Sequence, residues 1–354
     1  TVTLALTRNK MPRWLSEGIS VYEERQARPT WGQRMNPRFR ELILGGELTP
    51  VSKMSGAFLA PESNLHLQFA YYQSSLVVEH LTERFGLEAI RNILKDLGEG
   101  VEINAAIAKH TEPLDKLETA FRAYAVAKAK ALAPELDWTK PDPETLRTGV
   151  EEFAKKHPKN FYLLVRQARR ALNDKDWKAV KAPCKELIKL FPRQKSGDSN
   201  PYVMLARAQR ELGEYPAERQ TLETLAAMAD DAYPIFQRLT ELAAEQKDWE
   251  AVRLNCERVL AVNPLLPDTH RHLAMAAEAL NDAPQAIESW QTLLRLDPLD
   301  PAEANYRLAR LLREPDNPKA KRHLLMALEE APRFREALKL LLDWETTEGN
   351  PDEK

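Results

Sequence analysis

"KDWKAVKAPC" (175–184) and "KDWEAVRLNC" (247–256) are near copies of each other. Trp177, Ala179, Val180 and Cys184 return at one fixed interval as Trp249, Ala251, Val252 and Cys256, and Pro192 returns at the same interval as Pro264. Prolines supply a finer ruler. The step from Pro158 to Pro192 recurs from Pro264 to Pro298 and again from Pro298 to Pro332. Between the two sets the register continues with a small excess, which we place in "RQKSGDSNP" (193–201). Self-similarity at a fixed period of this size marks a stack of supersecondary units, in which each unit buries its apolar face against its neighbours.

The proline step, about 34 residues, is the length of a helix–turn–helix repeat, and the details resemble the tetratricopeptide family. In "HRHLAMAAEALNDAPQAIESWQTLLRLDP" (270–298), Leu273, Ala274, Ala286, Trp290 and Pro298 stand where that repeat wants them. Ala320, Leu324, Ala327 and Pro332 do so in the next unit. Small residues let two helices approach, large ones fill the gap, and the proline ends the second helix. Five units follow from this register, 159–192, 197–230, 231–264, 265–298 and 299–332, with "RFREALKLLLDWETTEG" (333–349) as a capping helix. Trp177, Trp249 and Trp290 are expected between helices. Pro183 is expected to kink a second helix, and Asp230 replaces the closing proline of its unit. Cys184 and Cys256 fall at equivalent inner positions, which makes them core residues rather than a disulfide or a metal pair. The resemblance implies an α-solenoid with a protein or peptide partner on its concave face.

Composition narrows the rest. The chain has 354 residues, 43% hydrophobic and 29% charged, with a net charge of −2, which suits a globular protein of two or three domains. Near-neutral charge argues against nucleic acid as a partner. Residues 1–40 do hold eight Lys and Arg against three acids, but without interleaved aromatics they read as a solvated face. No uninterrupted apolar run is long enough for a membrane-spanning helix, so no span is expected. The seven histidines are scattered, and His270 and His272 point apart on a helix.

Residues 1–132 read as helices joined by loops. "LHLQFAYYQSSLVVEHLTERF" (65–85) is one helix stopped by Gly86, and "PRFRELIL" (37–44) is another, started by Asn36 and Pro37. Further helices are expected over about 87–97, 102–109 and 113–132. Residues 133–158 are a proline-rich linker with a lead-in helix. In "MPRWLSEGISVYEER" (11–25) an acid, Glu17, stands among Trp14, Leu15, Ile19 and Val21, beside a glycine. Either Arg13 pairs with Glu17 across one turn of helix, or Glu17 points inward and something else neutralises it. Gly18 suggests a close approach of another backbone.

This half resembles the C-terminal part of the gluzincin zinc metallopeptidases, in the form of a peptidase-MA-like domain. In that family one helix carries H-E-x-x-H and a second, W-[LF]-x-E-G-[IL]-[AS]-x-Y, brings a third zinc ligand. "WLSEGISVYEE" (14–24) matches the second, so the resemblance implies Glu17 as that ligand. "AYYQSS" (70–75) is similar to the family's A-Y-A-Q-S stretch, which implies Tyr71, or Tyr72 in second place, as an oxyanion donor. No H-E-x-x-H occurs in the chain. The family's spacing would put it immediately upstream of Thr1, where the sequence starts as though in mid-helix. Zinc is therefore expected only in a longer parent, and this chain is expected to be inactive.

The expected fold is all-α: the helical C-terminal subdomain of a zincin-like peptidase over 1–132, then the α-solenoid over 159–349. The expected function is that of the C-terminal portion of a zinc metallopeptidase fused to a repeat array. The alternative is a non-catalytic scaffold or adaptor, its array capped by a degenerate peptidase-like domain. Relatives with this layout are exported by bacteria, which implies an extracytoplasmic location.

Overall fold

The computed structural model describes residues 2–28, 30–194, 200–313 and 317–348, with side chains to residue 345. The excess assigned to 193–201 thus lies largely outside the described part. Among the described residues every regular element is a helix, apart from one isolated bridge between Asp137 and Asn160. None of these helices is long and apolar enough to cross a membrane. The chain forms two compact units, Thr1–Gly213 and Glu214–Lys354.

In the first unit, α1 (Val2–Leu6), α2 (Arg13–Ala27), α3 (Pro37–Leu44), α4 (Asn64–Glu99), α5 (Ile103–His110) and α6 (Leu114–Lys130) surround one core. Local chemistry sets their ends. Asn36 accepts from Phe39 N at 2.9 Å and caps α3, with Pro37 at the first helical position. Gly86 breaks α4 with φ 80° and ψ 165°, a conformation that only glycine adopts readily. Trp14, Leu15, Ile43, Met54, Leu76, Ile93 and Leu117 are all essentially inaccessible, in one core shared by α2, α3, α4, α5 and α6.

The proline-rich stretch is packed rather than loose. Leu136 is buried with Phe161, Leu187 and Phe191, and the Arg40 guanidinium lies 4.4 Å from the Trp138 ring centre. The short helices α7 (Pro143–Thr148) and α8 (Val150–Lys156) follow, then α9 (Phe161–Asn173), α10 (Trp177–Leu190) and α11 (Pro201–Glu211), packed in succession. Helix α10 runs through Pro183 as one element.

The second unit holds α12 (Tyr215–Ala226), α13 (Tyr233–Glu245), α14 (Trp249–Val262), α15 (Pro267–Ala279), α16 (Ala283–Arg295), α17 (Ala302–Leu311), α18 (Pro318–Glu330) and α19 (Arg335–Glu348). Each helix from α13 to α19 packs on its predecessor, which makes a stack of antiparallel hairpins. The turns repeat with the sequence. Lys175, Gly213, Lys247 and Asn281 all have φ between 56° and 73°. Asp176, Asp248 and Asp282 follow three of them and cap the next helix.

The inner position of the second helices is filled by Cys184, Leu222, Cys256, Trp290 and Leu324, all buried. Trp177 and Trp249 are only half-buried, contrary to expectation. They start their helices just after the turn, where one side of the ring stays open.

Candidate functional site

Helix α2 turns Trp14, Leu15, Gly18 and Val21 toward the core, and Glu17 falls between that face and solvent. Its side chain is 32% exposed and takes a 3.4 Å contact from Arg13 Nε, one turn earlier. Arg13 Nη2 also donates to Tyr71 Oη at 3.1 Å. Tyr71 packs edge-on against Phe58, with ring centres 5.0 Å apart. The structure therefore brings Glu17 and Tyr71 to one surface patch, joined through Arg13. Tyr72 is elsewhere. It is buried, stacked on Phe39 at 5.1 Å, and burial holds its hydroxyl pKa well above the usual tyrosine range. It is a core residue.

A catalytic zinc needs three protein ligands; the two imidazoles that the resemblance implied fall outside this chain, and within it Glu17 is held by Arg13. Among the described residues no group of three or more His, Cys, Asp or Glu side chains is placed to hold a metal. The spacing that drew attention to Glu17 has a packing cause: a Cβ on Gly18 would meet the Ser74 carbonyl, so the glycine lets α2 lie against α4.

A different arrangement occupies the first helices of the second unit. Arg271 Nη1 donates to Glu303 Oε2 at 2.9 Å, and Arg307 contacts both Glu303 (3.4 Å) and Glu278 (3.3 Å). The indole N–H of buried Trp290 donates to the other oxygen of Glu278 at 2.8 Å. A chain of alternating charge thus links α15 to α17 and is anchored in the repeat core. Beside it lies a cavity of about 800 Å³, bordered by Asp300, Glu303, Tyr306, Arg307, Phe334 and Glu336. The Tyr306 and Phe334 rings, 4.9 Å apart, form its aromatic wall. Its size suits a ligand or the side chains of a peptide. None of these residues stood out in the sequence. The available signal was the Glu303–Arg307 spacing of four on a first helix, next to an aromatic.

No family model matches the chain, and no curated protein matches it. Among solved structures it is similar to MamA, at 13% identity and a TM-score of 0.38 over 55% of this chain and 96% of the other. It is similar to YrrB, described as a TPR protein with an unusual peptide-binding site, at 12% identity and a TM-score of 0.44 over 54% and 96%. PilF of Pseudomonas aeruginosa matches at 15% identity and a TM-score of 0.36 over 54% and 85%. Identities this low carry no partner or activity across to this chain.

The similar structures are repeat proteins, with no peptidase among them. The gluzincin resemblance of residues 1–132 is thereby corrected, and the zincin-like subdomain with it. Those residues form a helical core whose Trp-Leu-x-x-Gly spacing serves the α2–α4 contact.

Proposed function

We propose that the chain is a non-catalytic scaffold or adaptor, whose helical repeats receive a protein or peptide partner on the first-helix face of the Glu214–Lys354 unit. The carrying observation is the Tyr306–Phe334 cavity beside the fixed charges of Arg307 and Glu303. Aromatic side chains framed by arginine and carboxylates are what anchors a partner at a small interface. The charge chain holds these groups in place before binding, so less side-chain entropy is lost on association. In this reading residues 1–132 are a helical domain, 133–158 a packed lead-in, and 159–349 the repeats with their capping helix.

The test is peptide selection from a random display library on the full chain, followed by affinity measurement on Tyr306→Ala and Phe334→Ala. Losing a buried aromatic anchor should weaken binding about tenfold or more. Unchanged affinity in both variants would place the partner elsewhere.

A further inference from the structure

The near copies that set the repeat register differ in the charge of their outer side. Lys178 and Lys185 of α10 return in α14, at the interval of the tryptophans and cysteines, as Glu250 and Glu257. Ala182 returns as Leu254, and Lys189 as Ala261. A helix turns once in about 3.6 residues, so Lys178, Ala182, Lys185 and Lys189 share one line along α10. This line is exposed and stands opposite Val180, Cys184 and Leu187, which are inaccessible. Glu250, Leu254, Glu257 and Ala261 make the matching exposed line of α14, opposite inaccessible Val252, Cys256 and Val259. One framework thus carries two faces of opposite charge, with the paired charges about 10 Å apart along each helix.

Little within the chain engages these charges. Lys178, Lys185 and Glu257 make no ion pair among the described residues. Lys189 approaches Glu186 at 3.9 Å, and Glu250 holds Arg253 at 2.7 Å, which also lies 4.0 Å from Asp282. Exposed pairs one turn apart contribute little, so Glu250 exchanges its partner at small cost. Arg258, the next cation on α14, lies over the Phe236 ring at 5.4 Å. The middles of the two lines also match. Helix α10 exposes no large apolar side chain, and the small Ala182 is central on its line, whereas the central Leu254 of α14 is 49% exposed. Laid together, the lines set two lysines against two glutamates around a leucine on an alanine. Covering Leu254 removes apolar surface from water.

We propose that this protein associates with itself through these faces, α10 of one copy lying against α14 of a second copy. Each copy carries both faces, so the contact closes into a dimer or repeats along a row of copies. Oppositely charged positions flanking an apolar contact are how paired helices select one another. The contact lies on second helices, shares no residue with the Tyr306 cavity, and depends on nothing proposed for that cavity.

Sedimentation equilibrium of the full chain tests it, at low and at high salt. Reversible association is expected at low salt, weakening as added salt screens the exposed charges. Two double variants read the faces directly: Lys178→Glu with Lys185→Glu, and Glu250→Lys with Glu257→Lys. Each should weaken self-association about tenfold or more, because like charges then face each other. Mixed in equal amounts, the two variants should associate as the unaltered chain does, since each supplies the face that the other now requires. Should either reversal lose its native circular dichroism, the glutamine variants of the same positions are read for the weakening alone. Unaltered chains that stay monomeric at low salt overturn the proposal and leave the lysine line to another acidic partner. Association that the variants leave unchanged, or a mixture no stronger than its components, overturns it as well.

Discussion

Gly18 and Ser74 meet backbone to backbone, since a Cβ on Gly18 would stand 2.7 Å from the Ser74 carbonyl oxygen. Backbone cannot swing aside as a flexible side chain does, so α2 must move away from α4. Overpacking of this kind costs about 1–3 kcal/mol, while alanine returns about 1 kcal/mol of helix propensity. For a contact this short we expect the upper end. Gly18→Ala should lose about 2 kcal/mol in urea unfolding, and a gain in stability would mean the two helices are farther apart than described.

Trp290 fills the inner position of its repeat, where other units have Cys184, Leu222, Cys256 and Leu324. Trp290→Ala should cost about 3–5 kcal/mol, and it also frees Glu278, the anchor of the charge chain. Repeats couple mainly to their neighbours, so amide exchange should rise first in α15, α16 and α17. Uniform acceleration across the unit would contradict nearest-neighbour coupling.

The repeats were legible because one physical constraint returns in unit after unit: a left-handed turn residue, a capping acid, and a buried inner side chain. Gly86 was legible for a similar reason, since its break in α4 is local. The stretch around Glu17 reads two ways, because Trp14, Leu15 and Gly18 form a helix-packing face that a metal-binding motif shares. The acid between them takes its meaning from what stands opposite, and a sequence does not show that. The same limit hid the cavity. Tyr306 and Phe334 come from different helices, and only the fold makes them neighbours.

Cys184 and Cys256 are fully buried, and burial pushes each thiol up to about 12. The thiolate is the reactive form, so neither should react with a disulfide reagent in the native state near neutral pH. Both should react once the chain is unfolded in denaturant. Rapid labelling of either under native conditions would mean that its repeat opens readily.

His80 is 6% exposed, its ring lies beside Tyr124 and Phe121, and Nε2 has no partner among the described residues. Burial, with Arg84 in support, holds its pKa below the ordinary 6.5. The unfolded chain therefore binds this proton first as pH falls, which favours unfolding. The His80 contribution is complete above 6.5 and is lost progressively below it, down to the folded value. His80→Gln should flatten the dependence of unfolding free energy on pH as the pH falls below 6.5. His323, whose pKa is also lowered by burial, leaves a residual slope. An unchanged slope would show that His80 is hydrated.

Glu218 is 2% exposed at the position that Val180, Val252, Ala286 and Ala320 occupy in the other repeats. Arg238 grips it through Nε at 2.7 Å and Nη2 at 3.0 Å, and also holds Glu241 at 2.7 Å. An acid at an apolar repeat position needs that grip, because a buried carboxylate left unpaired is strongly unfavourable. Arg238→Leu should therefore cost about 3–5 kcal/mol. Replacing both partners by apolar residues can be neutral or even stabilising, and valine at this position is what two other repeats already use. The double variant Glu218→Val, Arg238→Leu should recover most of the loss, read by urea unfolding of the single and double variants side by side. Equal destabilisation in both would mean that Arg238 is needed for Glu241 or for packing, and that the buried pair contributes no coupling of its own.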